Sequence, residues 1–254
     1  MVTRRSLLQA PLAVACSCCL SRTAGAQVPS GAYIRSHPRL CGIEPGYEDE
    51  NFKYDMRRVL PRSGFSQFDD HLAEEINALN TFFVFLNSRY APEVFIYDDR
   101  AAPFGGIALR VDGAHARILI GLSLLIAEQK RVGESWPSSV IGAMAHEWAH
   151  AYQYRAGLDD KLELHADYMS GWYMGHKQRY GLAMDINVFS DAIYLRGGKS
   201  GQFRGRPYGS PEQRVAAMLA GRSDGYSRAS LNTQFTSSYV NAASNRGYSY
   251  VSTL

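Results

Sequence analysis

Cysteine is scarce where it would matter. The chain has 254 residues and 4 cysteines, and Cys16, Cys18 and Cys19 all fall within the first 26 residues, leaving Cys41 alone in the remainder. A single cysteine cannot close an internal disulfide, so no disulfide framework organises this chain. Charge of one sign is also lacking. The formal net charge is +3, but Arg4, Arg5 and Arg22 supply it, and beyond residue 26 there are 24 basic and 24 acidic residues. That balance gives no electrostatic footprint for nucleic acid or an anionic membrane. Long apolar runs are missing too. The longest, Leu7 to Leu20, is interrupted by Gln9 and Pro11 and is shorter than the roughly 20 residues a membrane span needs. Large aliphatic residues thin out after Ser223, where Ser, Asn and Tyr dominate, so residues 223–254 read as a polar, exposed tail. What is present is ordinary globular composition: 46% hydrophobic and 20% charged, which predicts one domain, or one domain with arms, and ample length for a core.

The amino terminus reads as a targeting segment over residues 1–26. Arg4-Arg5 precedes the apolar run, and Ala24-Gly25-Ala26 forms an A-x-A cleavage signal. "TRRSLLQ" resembles the twin-arginine signal of bacterial proteins exported in folded form, the alternative being an ordinary secretory signal with two chance arginines; either predicts a periplasmic or secreted location. A lipoprotein signal ending at Cys16, Cys18 or Cys19 fits less well, because Ala13-Val14-Ala15 makes a poor lipobox.

Residues 27–64 carry Pro29, Pro38, Pro45 and Pro61 with several glycines and read as an irregular arm. A domain follows over residues 65–222. Leu72, Ile76, Leu79, Phe83 and Leu86 recur at helical steps, predicting a helix over 68–88 capped by Asp69 or Asp70. Three β-like runs at 94–97, 106–111 and 117–120 predict a small sheet. Helices are expected at 122–131, from Ser138 or Ser139 to 155, at 162–179, at 186–194 and at 211–220. The class is therefore α+β, mainly helical, with the sheet beside the helix of residues 138–155.

That helix carries the chemistry, in "AMAHEWAHAYQY". His146 and His150 are four residues apart, so on a helix both imidazoles can reach one ion. Glu147 sits one position round, near a water on that ion but not on the ion itself. This is the HExxH arrangement of a zinc hydrolase. A catalytic zinc takes three protein ligands, and "KLELHADYMSGWY" follows after a short break at Gly157-Leu158-Asp159-Asp160. Helices joined by so tight a turn run back along each other, which brings Glu163 to the His150 end as third ligand. Asp167, four residues on, shares the face of Glu163 and can accept the outer N–H of a ligand histidine. His165 lies about 200° round the helix from Glu163 and points elsewhere. The alternative for both stretches is an amphipathic, salt-bridged helix surface.

HExxH followed by E-x-x-A-D resembles the gluzincin metallopeptidases. "MAHEWAHAYQ" with "ELHADYMSGWY" resembles, more narrowly, the bacterial neutral zinc metallopeptidases, in which HEFGH is followed by ELQAD. The likeness runs from about Phe68 to Gly221 and includes "PEVFIYDD", "LIGLSLL" and "YGSPEQRVAAMLAG", the last similar to that family's HG(S/T)PxQR segment. It implies a zincin-like fold, one zinc ion per chain on His146, His150 and Glu163, and Glu147 as the catalytic carboxylate. Three departures stand out. His165 replaces a Gln, Tyr208 replaces a His, and Phe104-Gly105-Gly106 replaces an Asn-Ala stretch. Tyr208 is a candidate donor to an oxyanion, and Arg214 a candidate partner for Asp167.

The expected activity is hydrolysis of peptide bonds in a peptide or protein substrate, with zinc making a water nucleophilic and Glu147 moving its proton. The strand at 117–120 is a candidate sheet edge for an extended peptide. The alternatives are a zinc-binding envelope or chaperone-like protein that cleaves nothing, and a structural envelope protein without metal.

Overall fold

The computed structural model describes residues 55–254, apart from 87, 102, 111–114, 158–161, 197–201, 204, 205, 208, 231 and 232. The expected signal segment, nearly all of the arm, Cys41 and Tyr208 lie outside the described residues. The end of the arm is not irregular. A 3-10 turn leads into β1 (Val59–Leu60), which pairs antiparallel with β2 (Glu93–Tyr97).

α1 (Ser66–Phe82) buries Phe68, Leu79 and Phe82. Neither Asp69 nor Asp70 caps it. Asp69 instead folds back and accepts the backbone N–H groups of Ser63 and Gly64, fixing the entry turn. The helix stops six residues short of Ser88. Val84 takes a φ of 59°, a left-handed conformation that ends a helix and is uncommon for a β-branched residue. Phe83 and Phe85, on either side of it, are both fully buried. Arg155 donates to the Val84 carbonyl at 2.6 Å.

β3 (Gly106–Arg110) and β4 (Ala116–Gly121) complete a four-stranded mixed sheet in the order β1-β2-β4-β3. β4 pairs in parallel with β2 and antiparallel with β3. It is therefore an interior strand with both ladder edges occupied, and β-addition at residues 117–120, which the sequence suggested, cannot occur. The edge strands of this sheet are β1 and β3. Phe104-Gly105 serves the scaffold. Both backbone N–H groups donate to the buried Asp99 carboxylate at 3.0 Å. The same carboxylate accepts from the backbone of Ser123 at 2.7 Å, near the start of α2 (Leu122–Val132).

α3 (Trp136–Arg155) begins two residues before Ser138, with Pro137 in its first turn, a position where the missing N–H costs nothing. Residues 142–154 of this helix are all buried. Its mixed polar and apolar faces are thus not a surface pattern. A helix enclosed on every side needs no polar stripe, and here the buried polar groups have a separate use. Tyr154 at its end donates to the Ala108 carbonyl of β3 at 3.1 Å, tying helix to sheet. Gly142 lets the Phe189 ring of α5 (Ile186–Arg196) lie directly on the α3 backbone.

α4 (Glu163–Arg179) and α6 (Pro211–Arg228) pack closer than side chains ordinarily permit. Gly171 and Gly175 of α4 face the carbonyl groups of Met218 and Arg222. Gly221 and Gly225 of α6 face those of Tyr168 and Trp172. A methyl group at any of the four would overlap the opposing backbone. α6 itself starts with a full capping box between Ser210 and Gln213 and runs eight residues past Ala220, where the sequence reading ended it.

The tail is not an exposed extension. It forms α7 (Ser237–Val251), whose Val240, Ala243, Ser244 and Gly247 are buried. Its docking face is made of small residues and ring stacking rather than large aliphatics, so counting aliphatics missed it. Among the described residues no helix is long and apolar enough to cross a membrane.

Candidate metal centre

α3 and α4 hold the site between them. Helical spacing puts His146 and His150 on one side of α3, and Glu163 opens α4 at the point where the chain returns. His146 Nε2 and His150 Nε2 are 3.1 Å apart. Glu163 Oε2 is 3.2 Å from the first, and Glu163 Oε1 is 3.5 Å from the second. All three side chains are buried.

Each histidine is oriented from behind. Asp167 Oδ1 accepts from His146 Nδ1 at 3.0 Å, and Gln153 Oε1 accepts from His150 Nδ1 at 2.9 Å. The Gln153 amide has a defined direction. Its Oε1 accepts the Leu162 N–H at 3.3 Å, and its Nε2 donates to the Leu162 carbonyl at 3.1 Å. With both outer nitrogens donating, both Nε2 lone pairs face inward toward a carboxylate. Three electron-pair donors so arranged repel one another. A cation among them, whether a metal ion or protons on the imidazoles, removes the conflict.

The spacing also suits a metal. Four donors at about 2.1 Å around a tetrahedral ion stand about 3.4 Å apart, close to the three separations found. The residues therefore fit an ion of the His-His-carboxylate class, and the group His146, His150 and Glu163 could hold one.

Charge around the site is balanced by one arginine. Arg214 of α6 donates to Asp167 through Nε at 2.7 Å and Nη2 at 3.0 Å, and its Nη2 lies 3.3 Å from Glu163 Oε2. Burial by itself would push the Glu163 carboxyl up; His150 and His146 in their protonated form, together with Arg214, outweigh it and hold the group well below the usual carboxylate range. The same contest holds Asp167 low, with Arg214 the largest favourable influence and His146 next. Glu147 is buried, one residue beyond His146 on α3.

His165 lies on α4, two residues after Glu163. It does point away from Glu163, but into the protein. Its Nδ1 lies 2.9 Å from Gln153 Nε2 and its Nε2 3.0 Å from Ser244 Oγ of α7. Its ring stacks on Tyr248 at 3.9 Å with 8° between the planes. Burial drives its imidazole down to about 3, so it is neutral. Gln153 was missed in the sequence because a glutamine three residues after a histidine carries no signature. Tyr208, the candidate oxyanion donor, lies outside the described residues. Comparison of the chain with protein-family models, with curated proteins and with solved structures gives no match.

Proposed function

We propose that this chain is a zinc-dependent peptidase of the zincin-like, gluzincin type, hydrolysing peptide bonds in peptide or protein substrates. The observation that carries this is the convergence of two imidazoles and one carboxylate at metal-ligand separations, with a second acidic side chain, Glu147, next to the first ligand. Two histidines with a carboxylate are a donor set typical of catalytic zinc and leave one coordination position for a substrate or water. The motif likeness of residues 146–150 and 163–167 to the bacterial neutral zinc metallopeptidases supports the same reading.

In this reading His146, His150 and Glu163 hold the ion. Bound there, zinc supplies Lewis acidity, polarising a carbonyl and making a water acidic near neutral pH. Glu147 is the general base. It accepts the proton of the attacking water and delivers it to the departing amine, so one carboxylate serves both halves of the reaction. Asp167 and Gln153 keep the imidazole lone pairs directed inward, and Arg214 keeps Asp167 and Glu163 ionised and in place. Export through the twin-arginine-type segment belongs to the same proposal. Replacing Arg4-Arg5 by Lys-Lys should hold the precursor inside the cell, and unchanged export would refute that part.

The test is Glu147→Gln in the purified full-length protein, with zinc content and cleavage of casein and a peptide library measured together. Retained zinc with cleavage reduced about 10²- to 10⁴-fold is expected. Unchanged cleavage would overturn the role of Glu147. Zinc binding by the unmodified protein without any cleavage would favour the non-proteolytic envelope or chaperone-like reading.

A further inference from the structure

The donor–acceptor line behind His150 runs to α7, whereas the one behind His146 runs to α6. His146 is backed by Asp167, and Asp167 by Arg214. His150 is served by Gln153, Gln153 by His165, and His165 by Ser244 on α7. Direction can be assigned along the whole line. The Leu162 N–H can only donate and the Leu162 carbonyl can only accept, so Gln153 presents Oε1 to His150 and Nε2 to His165. His150 must then donate from Nδ1. His165 must accept at Nδ1 and so carries its proton on Nε2, toward Ser244.

The same glutamine also grips Leu162, the residue before Glu163. One amide therefore spans the second histidine of the site and the entry to the third ligand. α7 closes the line from the other side. Tyr152 of α3 donates to Asn241, Ser244 receives His165, and Tyr248 stacks on the His165 ring. Residues 241, 244 and 248 follow helical spacing and form one face.

We infer that Gln153 and His165 are positioning residues for the metal site, and that α7, through Ser244 and Tyr248, is part of the apparatus that orients His150. This rests on the proposed metal reading and adds to it a requirement for the carboxyl-terminal helix. What His165 contributes is polarity, an acceptor toward Gln153 and a donor toward Ser244. An amide side chain has the same polarity. His165→Gln can therefore preserve the line while losing the ring stack, whereas His165→Leu loses both.

The experiment uses the full chain, stripped of metal, with Zn2+ alone as the probe in competition with a chromophoric chelator. Gln153→Leu and His165→Leu are expected to weaken zinc binding about 10- to 100-fold, the range for loss of such outer partners, and His165→Gln to stay within about threefold of the parent. A packing role alone would make the Gln and Leu variants alike, because both lack the ring on Tyr248; that result would overturn the inference. Histidine ¹⁵N NMR of the unmodified, metal-free protein at pH 8 gives an independent reading that no misfolded variant can spoil. The proton is expected on Nδ1 of His150 and on Nε2 of His165, and the reverse placement on His150 would also overturn it. If the parent binds no zinc, the metal reading fails and this role for α7 falls with it. If the parent binds zinc and His165→Leu binds equally well, only the positioning role fails.

Discussion

Arg214 grips Asp167 with two parallel hydrogen bonds, Nε to Oδ2 at 2.7 Å and Nη2 to Oδ1 at 3.0 Å. Both side chains are buried, and the second nitrogen also approaches Glu163. One guanidinium thus stabilises two carboxylates that burial would otherwise disfavour, and it joins α6 to the site on α3 and α4.

Removing that charge leaves two buried carboxylates undercompensated. Breaking a buried pair from one side typically costs about 3–5 kcal/mol. Arg214→Met is expected to lower the unfolding free energy of the metal-free protein by about that amount in urea titrations. Arg214→Lys should recover only part of it, since an ammonium group cannot make the two parallel bonds. Full recovery by Lys would show that charge alone matters here.

The α4–α6 contact makes the arginine's position depend on glycine. Gly221→Ala would drive a methyl into the Tyr168 carbonyl. Neither backbone can yield without separating the helices, so the substitution should cost about 3 kcal/mol or more, the upper part of the overpacking range. It should also weaken zinc binding, although residue 221 lies far along α6 from Arg214. A variant with parental melting temperature and zinc affinity would contradict the packing described.

Metal removal has its own signature. An ion that binds only the folded chain stabilises it by about 2.7 kcal/mol at a concentration one hundred times Kd. A chelator should therefore lower the melting temperature of the parent. Glu163→Ala should melt at nearly the same temperature with or without chelator. A chelator effect of full size in that variant would place the ion elsewhere.

His176 predicts an acid sensitivity independent of the metal. It is buried among Phe82, Trp172 and Phe235, and burial pushes its imidazole down to about 4, against an ordinary value of 6.5. The unfolded chain takes up this proton first as pH falls. The stability His176 contributes is thus complete above about pH 6.5 and is lost progressively toward pH 4. Between pH 8 and pH 4.5 the parent should lose more stability than His176→Phe, by on the order of 2 kcal/mol. Equal losses would mean that the group titrates normally.

How much of this was legible depends on whether a residue's partner is local. His146, Glu147 and His150 announce themselves because four residues make one helical turn, and Glu163 and Asp167 share a face for the same reason. Those spacings are properties of the helix and survive any tertiary arrangement. The helical periodicity of Leu72 to Leu86 runs past the end of α1 because Val84 adopts a left-handed conformation that its type disfavours, which packing of Phe83 and Phe85 accompanies. α7 carries little sequence signal of burial because Val240 is the one large aliphatic residue on its buried face, beside Ala243, Ser244 and Gly247.

By itself the sequence determined the helical faces and the chemical types displayed on them: two imidazoles, a carboxylate beside the first, and two more carboxylates on the following helix. Only the tertiary structure decided which groups meet. It placed β4 inside the sheet, turned His165 inward to Gln153 and α7, and brought Arg214 from 47 residues away onto Asp167. Hydrogen-bond partners across helices depend on packing distances of a few tenths of an ångström, and no local spacing encodes those.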